Sequence, residues 1–264
     1  MTRLPDDAYL DHLRSESARF RDVLAATDPT DRVPSCPDWD AADLLWHLTE
    51  VQHFWSRIVA DRPTGPDAFE EPPRPTTYAD LLTAFDDASA GLVEALRVAD
   101  PKEQAWTWAP EQTVGFILRR QAHEALIHRL DAEQAAGTVT DLDARLAADG
   151  VEEVLAVMFG GTPGWGSFTG SETFVRVDCI DTDHHVWVEL GRFTGTDPED
   201  GVAHDEDDIS VVTDPGREPD VVVSGTAADL DAWLWRRGDD GDLTVAGDRT
   251  AHDLFLTCVN HPID

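Results

Sequence analysis

Arg119-Arg120-Gln121-Ala122-His123-Glu124-Ala125-Leu126-Ile127-His128-Arg129-Leu130-Asp131 contains good helix formers and no Gly or Pro, with Ala122, Leu126, Ile127 and Leu130 at helical spacing. A rotation of about 100° per residue stacks Glu124 and His128 one turn apart on one helical face. A carboxylate and an imidazole so placed can hold one metal ion from a single rigid element, with a third ligand supplied from elsewhere. His123 is rotated roughly 140° away from His128. The pattern is therefore not H-E-x-x-H, which needs its two histidines four residues apart.

Working outward, this stretch lies in a helix expected from about Thr113 to Ala136, stopped by Gly137. Three more helices precede it. Tyr9, Leu10, Leu13, Phe20, Val23 and Leu24 predict an amphipathic helix over Asp6–Ala26. After the Pro-punctuated loop Asp28–Pro37, Asp38 or Asp40 can cap a second helix running to about Ala60, with His47 near its apolar stripe. The proline-rich segment Asp61–Thr76 is a connection, and Thr76 or Thr77 caps a third helix to about Ala99. Four long helices with connections of moderate length predict an antiparallel bundle, a fold that builds metal sites from facing helices. A fifth helix, about Leu142–Met158, is expected to extend this half, giving a helical domain over residues 1–159.

At Phe159-Gly160-Gly161-Thr162-Pro163-Gly164-Trp165-Gly166 the composition changes, and a second domain is expected over residues 160–264. Thr173–Ile180 and His185–Leu190 read as a hairpin, with Asp181–His184 between its strands. Asp208–Thr213, Asp220–Ser224 and Leu243–Val245 are further strands. Gly225 opens a helix carrying Leu230 and Leu234, and Asp248–Val259 is the last. The fold class is thus two domains, an all-α four-helix bundle followed by a small α+β domain. Asp197–Asp208 reads as a solvated acidic loop.

Composition narrows the function. The net charge is −33, with 53 acidic residues against 20 basic, of which only Lys102 is a lysine. Neutralising phosphates needs Lys and Arg, so general nucleic-acid binding is excluded as a reading. The acidity reads as solubility, with adaptation to salt as a further cause. No apolar run is long enough to span a membrane, and Met1–Asp7 lacks the apolar core of a secretory signal, so a cytoplasmic protein is expected. Cys36, Cys179 and Cys258 are far apart and form no C-x-x-C pair, so neither a disulfide framework nor a zinc knuckle is predicted.

His47 is the natural third ligand, because a bundle can bring it across from Glu124 and His128. Two nitrogens and one oxygen suit zinc, and nickel, manganese and iron(II) also accept such sets. The plainer reading stands beside it: helical histidines are usually surface or core residues, and Glu-x-x-x-His recurs by chance. His53 reads as an ordinary helix residue. Cys36 reads as packing at a helix entrance in preference to a nucleophile.

Val33-Pro34-Ser35-Cys36-Pro37-Asp38-Trp39-Asp40-Ala41-Ala42-Asp43-Leu44-Leu45-Trp46-His47-Leu48 resembles the signature V-x-x-C-P-x-W-x-x-x-D-L-x-x-H-L of the mycothiol-dependent maleylpyruvate isomerase family, within the DinB-like helical bundles. Arg120–Glu124 with His128–Glu133 resembles that family's second signature. Asp229–Gly238 and Leu243–Asp248 look like its C-terminal domain, which is similar to sterol carrier proteins. The resemblance implies a divalent metal, usually zinc, on His47, Glu124 and His128, with mycothiol as thiol cosubstrate. It also implies a catalytic role for Arg237, holding a carboxylate substrate, with a surface salt bridge as the alternative, although Arg236 stands where a glycine is common. His123 and Asp131 are candidates to orient the ligands, and Trp106, Trp108 and Trp165 to line the pocket, with packing as the alternative for each.

The expected activity is a metal- and thiol-dependent isomerase or S-transferase acting on a small electrophile. The alternative is a non-catalytic protein in which the same bundle binds a metal or ligand for regulation.

Overall fold

The computed structural model describes residues 3–66, 69 and 71–259. Met1, Thr2 and part of the expected connection Asp61–Thr76 lie outside them. The described chain divides into two compact units that part between residues 141 and 142.

The first unit is built from α1 (Asp6–Ala25), α2 (Ala41–Asp61), α3 (Tyr78–Val98) and α4 (Val114–Ala135). Each of the last three starts on a side-chain cap. Asp40 and Asp43 exchange hydrogen bonds in a capping box on α2, Thr77 accepts from the Asp80 N–H on α3, and Thr113 accepts from the Phe116 N–H on α4. Gly137 ends the last with φ +70°, a left-handed conformation that glycine adopts without steric penalty.

The bundle is not all-antiparallel. Tyr9 meets His123, Glu16 meets Arg129 and Arg19 meets Glu133, so contacts climb α1 and α4 together and the two helices run parallel. Asp43 pairs with Arg74 and Ser56 approaches Gly91, so α2 and α3 are parallel too. The Ser17–Gln52 hydrogen bond, and Arg21 on Asp86 with the Tyr78 hydroxyl on the Leu24 carbonyl, set α1 antiparallel to α2 and α3. A parallel pair needs a connection that travels the length of the bundle, and the proline-rich segment after α2 is that crossover. Phe20, Leu24, Leu44, Leu45, Leu48 and Phe85 fill the centre, all buried.

The second unit begins earlier than expected, with α5 (Ala144–Glu153), which packs on α6 (Ala227–Leu234) and on the sheet and so does not extend the bundle. Its helix widens into a π-helical stretch over Val154–Phe159, where the Gly160 N–H reaches back five residues to the Leu155 carbonyl. Gly160 and Gly161 mark close packing here, not a linker. A Cβ on Gly160 would lie 2.8 Å from the Leu155 carbonyl oxygen, and one on Gly161 would lie 2.6 Å from that of Val157.

The sheet runs β3-β2-β1-β4-β5, from β1 (Gly166–Cys179), β2 (His184–Thr196), β3 (Ala203–Val212), β4 (Val221–Gly225) and β5 (Thr244–Gly247). All neighbours are antiparallel except β1 and β4. The final helix α7 covers Arg249–Val259. The hairpin is longer than predicted, and half of the expected acidic loop is strand. Ala203–Asp208 pairs with Gly191–Thr196, held by Arg192, whose guanidinium donates to Asp205 and Asp207. Carboxylates on this edge strand offer no apolar template for a second sheet. Among the described residues no helix is long and apolar enough to cross a membrane.

Candidate metal centre

The three residues nominated from sequence converge within the first unit. One donor atom from each of His47, Glu124 and His128 lies within 4.8 Å of the others. The antiparallel packing of α2 on α4 brings His47 over the turn carrying Glu124 and His128. His128 Nε2 lies 3.1 Å from Glu124 Oε1, and His47 Nε2 lies 3.7 Å from the same oxygen. Metal–ligand distances of about 2.0–2.2 Å in tetrahedral geometry put ligand atoms roughly 3.3–3.5 Å apart. The two pairs that involve Glu124 are close to that spacing, and the set as a whole, spread over as much as 4.8 Å, would close by about 1 Å around a divalent ion.

Other side chains hold the three in place. Asp131 Oδ2 lies 2.9 Å from His128 Nδ1, leaving Nε2 to face the centre. The Ser35 hydroxyl donates to the other Asp131 oxygen. Arg120 Nη2 donates to Glu124 Oε2 at 2.7 Å, and Trp39 lies against the His47 ring at 4.8 Å between centroids. Ser35 and Trp39 come from a tight loop before α2, closed by the Val33 N–H on the Trp39 carbonyl and the Trp39 N–H on the Cys36 carbonyl. The loop thus supports both a donor on α2 and an orienting carboxylate on α4.

The charges are strongly coupled. Burial opposes ionisation of Glu124, but His128, His47 and Arg120 together hold its carboxyl well below the usual range. Burial likewise opposes a charged His128, yet Glu124 and Asp131 raise its imidazole to about 9. In the metal-free protein the pair is an ionised carboxylate against an imidazolium, so a metal must displace that proton. The side chain of His47 is 35% exposed, against 8% for His128, so the centre opens on the His47 side.

The remaining candidates separate. His123 is fully buried in a T-shaped contact with Tyr9 on α1, a different face of α4 from His128. Cys36 packs half-buried against the bundle core. Trp106 and Trp108 join Phe54 and Trp55 in one aromatic cluster, while Trp165 belongs to the second unit, against Phe193 and His204. Arg237 is also in the second unit, with its guanidinium donating to the Trp235 carbonyl at 2.7 Å.

Arg236 adopts φ +62°, and the Arg236 and Arg237 N–H groups bond the Trp233 and Ala232 carbonyls, the paired closure of a Schellman turn. Ser35, Trp39 and Arg120 join the site through contacts that the sequence does not pair: all three lie within the quoted signatures, but nothing in one dimension matches them to Asp131, His47 and Glu124.

The family model described as the mycothiol maleylpyruvate isomerase N-terminal domain matches residues 10–133, and the C-terminal domain model of the same family matches residues 145–254. No curated protein matches the chain. Among solved structures, the chain is similar to a crystal structure of the mycothiol-dependent maleylpyruvate isomerase, 16% identical over 93% of this chain and 96% of that one, with a TM-score of 0.60. A crystal structure of a histidine-to-alanine mutant of that isomerase aligns over the same shares with a TM-score of 0.59. At such identity the likeness shows the fold, and family membership rests on the two domain models, which follow each other along the chain in order. The chain belongs to the mycothiol-dependent maleylpyruvate isomerase family.

Proposed function

We propose that this protein is a mycothiol-dependent isomerase or S-transferase for a small electrophilic substrate, working with a divalent ion, zinc by preference, held by His47, Glu124 and His128. The observation that carries this reading is the convergence of two imidazole nitrogens and one carboxylate oxygen on the open side of a buried polar cluster. Three protein ligands leave a position for an exogenous group, the pattern of catalytic sites. When bound, the ion supplies the positive charge that favours the thiolate form of an incoming thiol at neutral pH.

The chain's own residues do the rest. Asp131 fixes the ring orientation of His128, and Arg120 fixes the second oxygen of Glu124, so the donors are set before anything binds. Trp39 covers one side of His47 and limits water there. Addition of the thiolate to an electrophilic carbon, bond rotation and loss of the thiol give cis–trans isomerisation, whereas retention of the adduct gives S-conjugation. Arg237 is assigned to the substrate carboxylate, for which a guanidinium offers two parallel donors.

The test begins with metal content. Protein purified without an affinity tag should carry close to one equivalent of metal, and Glu124→Ala and His128→Ala should lose it while keeping their helical signal. Mycothiol-dependent turnover should vanish with the metal in both. Arg237→Lys should keep the metal and raise KM for a carboxylate substrate. Thiol-dependent turnover at the wild-type rate in a metal-free His128→Ala protein would sink the mechanism.

A further inference from the structure

Within the first unit lies a groove of about 440 Å³ between α2 and Pro66, Phe69, Glu71 and Pro72. Its lining includes Glu50, His53, Phe54, Arg57, Phe69 and Glu71. The groove is continuous in sequence geometry with the metal site. His47, Glu50, Phe54 and Arg57 stand at intervals of three, four and three, so they fall within about 80° of one another around the helix. Along the axis, Glu50 is about 4.5 Å from His47 and Arg57 about 15 Å.

We infer that this groove holds the hydroxyl-rich body of the thiol cosubstrate, with its sulfur reaching back along α2 to the centre at His47. The inference rests on the mycothiol-dependent reading above and adds where that molecule lies.

Three observations support it. The stripe's length suits a thiol carried on a long body, whereas a compact electrophile would fill only its His47 end. The lining chemistry suits sugar-like hydroxyls: aromatic faces at Phe54 and Phe69 alternate with the carboxylates of Glu50 and Glu71 and the imidazole of His53, all able to accept from hydroxyls. Arg57 stacks on Phe69, with its guanidinium carbon 4.8 Å from the ring centroid, and its Nε donates to Asp61. That arrangement ties Phe69 to α2 and places a charge already paired at the groove wall.

The experiment compares wild-type holoprotein with Glu50→Gln and Glu71→Gln, singly and together, by calorimetric titration with mycothiol and by steady-state kinetics. Glu71 is exposed, so its variant tests the groove even if Glu50→Gln disturbs the helix. The expected result is mycothiol binding weakened about tenfold in the double variant, the loss of one or two hydrogen bonds to charged groups. KM for the electrophile and the metal content should stay unchanged. S-methyl mycothiol, which lacks a free thiol, should still bind wild-type protein and be weakened by the same variants. If wild-type protein binds mycothiol and every variant binds it equally, the groove is wrong and the thiol reading stands. If wild-type holoprotein neither binds nor uses mycothiol, the functional reading falls and takes this inference with it.

Discussion

At the scale of the residue, His128 is where a proton would compete with the proposed metal. Its imidazole is raised from 6.5 to about 9, with burial opposing and Glu124 and Asp131 prevailing. A group whose folded pKa lies above its unfolded one contributes stability that is complete below about pH 6.5 and lost as pH rises through about 9. Glu124, held well below the usual carboxylate range, contributes in the opposite sense, with stability present above pH 4.5 and lost on acidification. The metal-free protein should therefore have a melting temperature that falls between pH 6.5 and 9, a slope that His128→Gln removes. Zinc, which takes the proton-free imidazole, should raise the melting temperature more at pH 9 than at pH 6.5. Thermal melts across that range, with and without zinc, check both, and a metal-free melting temperature that rises toward pH 9 would contradict the pairing.

The convergence of His47, Glu124 and His128 was legible because the spacing of Glu124 and His128 and the signature around His47 are local patterns. The side chains that hold them were not. Ser35 meets Asp131 only because a loop before α2 folds against α4, a contact across 96 positions of sequence.

At the scale of the element, α4 shows why apolar periodicity was an incomplete guide. An apolar stripe predicted one buried face, yet α4 is buried nearly all round, including Arg119, Arg120, Arg129, Asp131 and Glu133. These charges are tolerable only because partners arrive from elsewhere. Arg129 donates to Glu16 of α1, to Glu133 and to the Thr140 and Asp141 carbonyls, while Glu133 also accepts from Arg19 and Thr140. This network fixes the parallel register of α1 on α4, the feature that an antiparallel expectation missed. Glu133→Ala should cost about 3 kcal/mol, the low end for a broken buried pair because Glu16 still faces Arg129. Urea unfolding with an unchanged slope would report that loss directly. A change below about 0.5 kcal/mol would mean that the network does not hold the helices.

At the scale of the molecule, existence and order of the elements were legible, and the division between the units was not. A composition change at Phe159–Gly166 looked like a boundary, because glycine and proline punctuate linkers as well as close contacts. Gly160 and Gly161 belong to the second kind, and the units part between Asp141 and Leu142. Burial gives the physical reason for that position. Leu146, Ala147, Val151, Val154 and Leu155 are buried, and α5 finds its packing partners in α6 and β2. A fragment of residues 1–159 would keep that apolar face without its cover, whereas residues 1–141 retain Thr140 and Asp141, which close the Arg129 network. The shorter fragment should therefore be monomeric and helical and match the whole chain in zinc content, since all three proposed donors lie within it. The longer one should associate or bind hydrophobic dye, as exposed apolar patches do. Size-exclusion chromatography and metal content on the two fragments decide the matter. Clean behaviour of 1–159 with aggregation of 1–141 would return α5 to the bundle. If Arg237 holds the substrate as proposed, mycothiol-dependent turnover should be absent from the shorter fragment even when it is loaded with zinc, because that residue lies in the unit removed. Full turnover there would take Arg237 out of the reaction and leave the bundle as the whole catalyst.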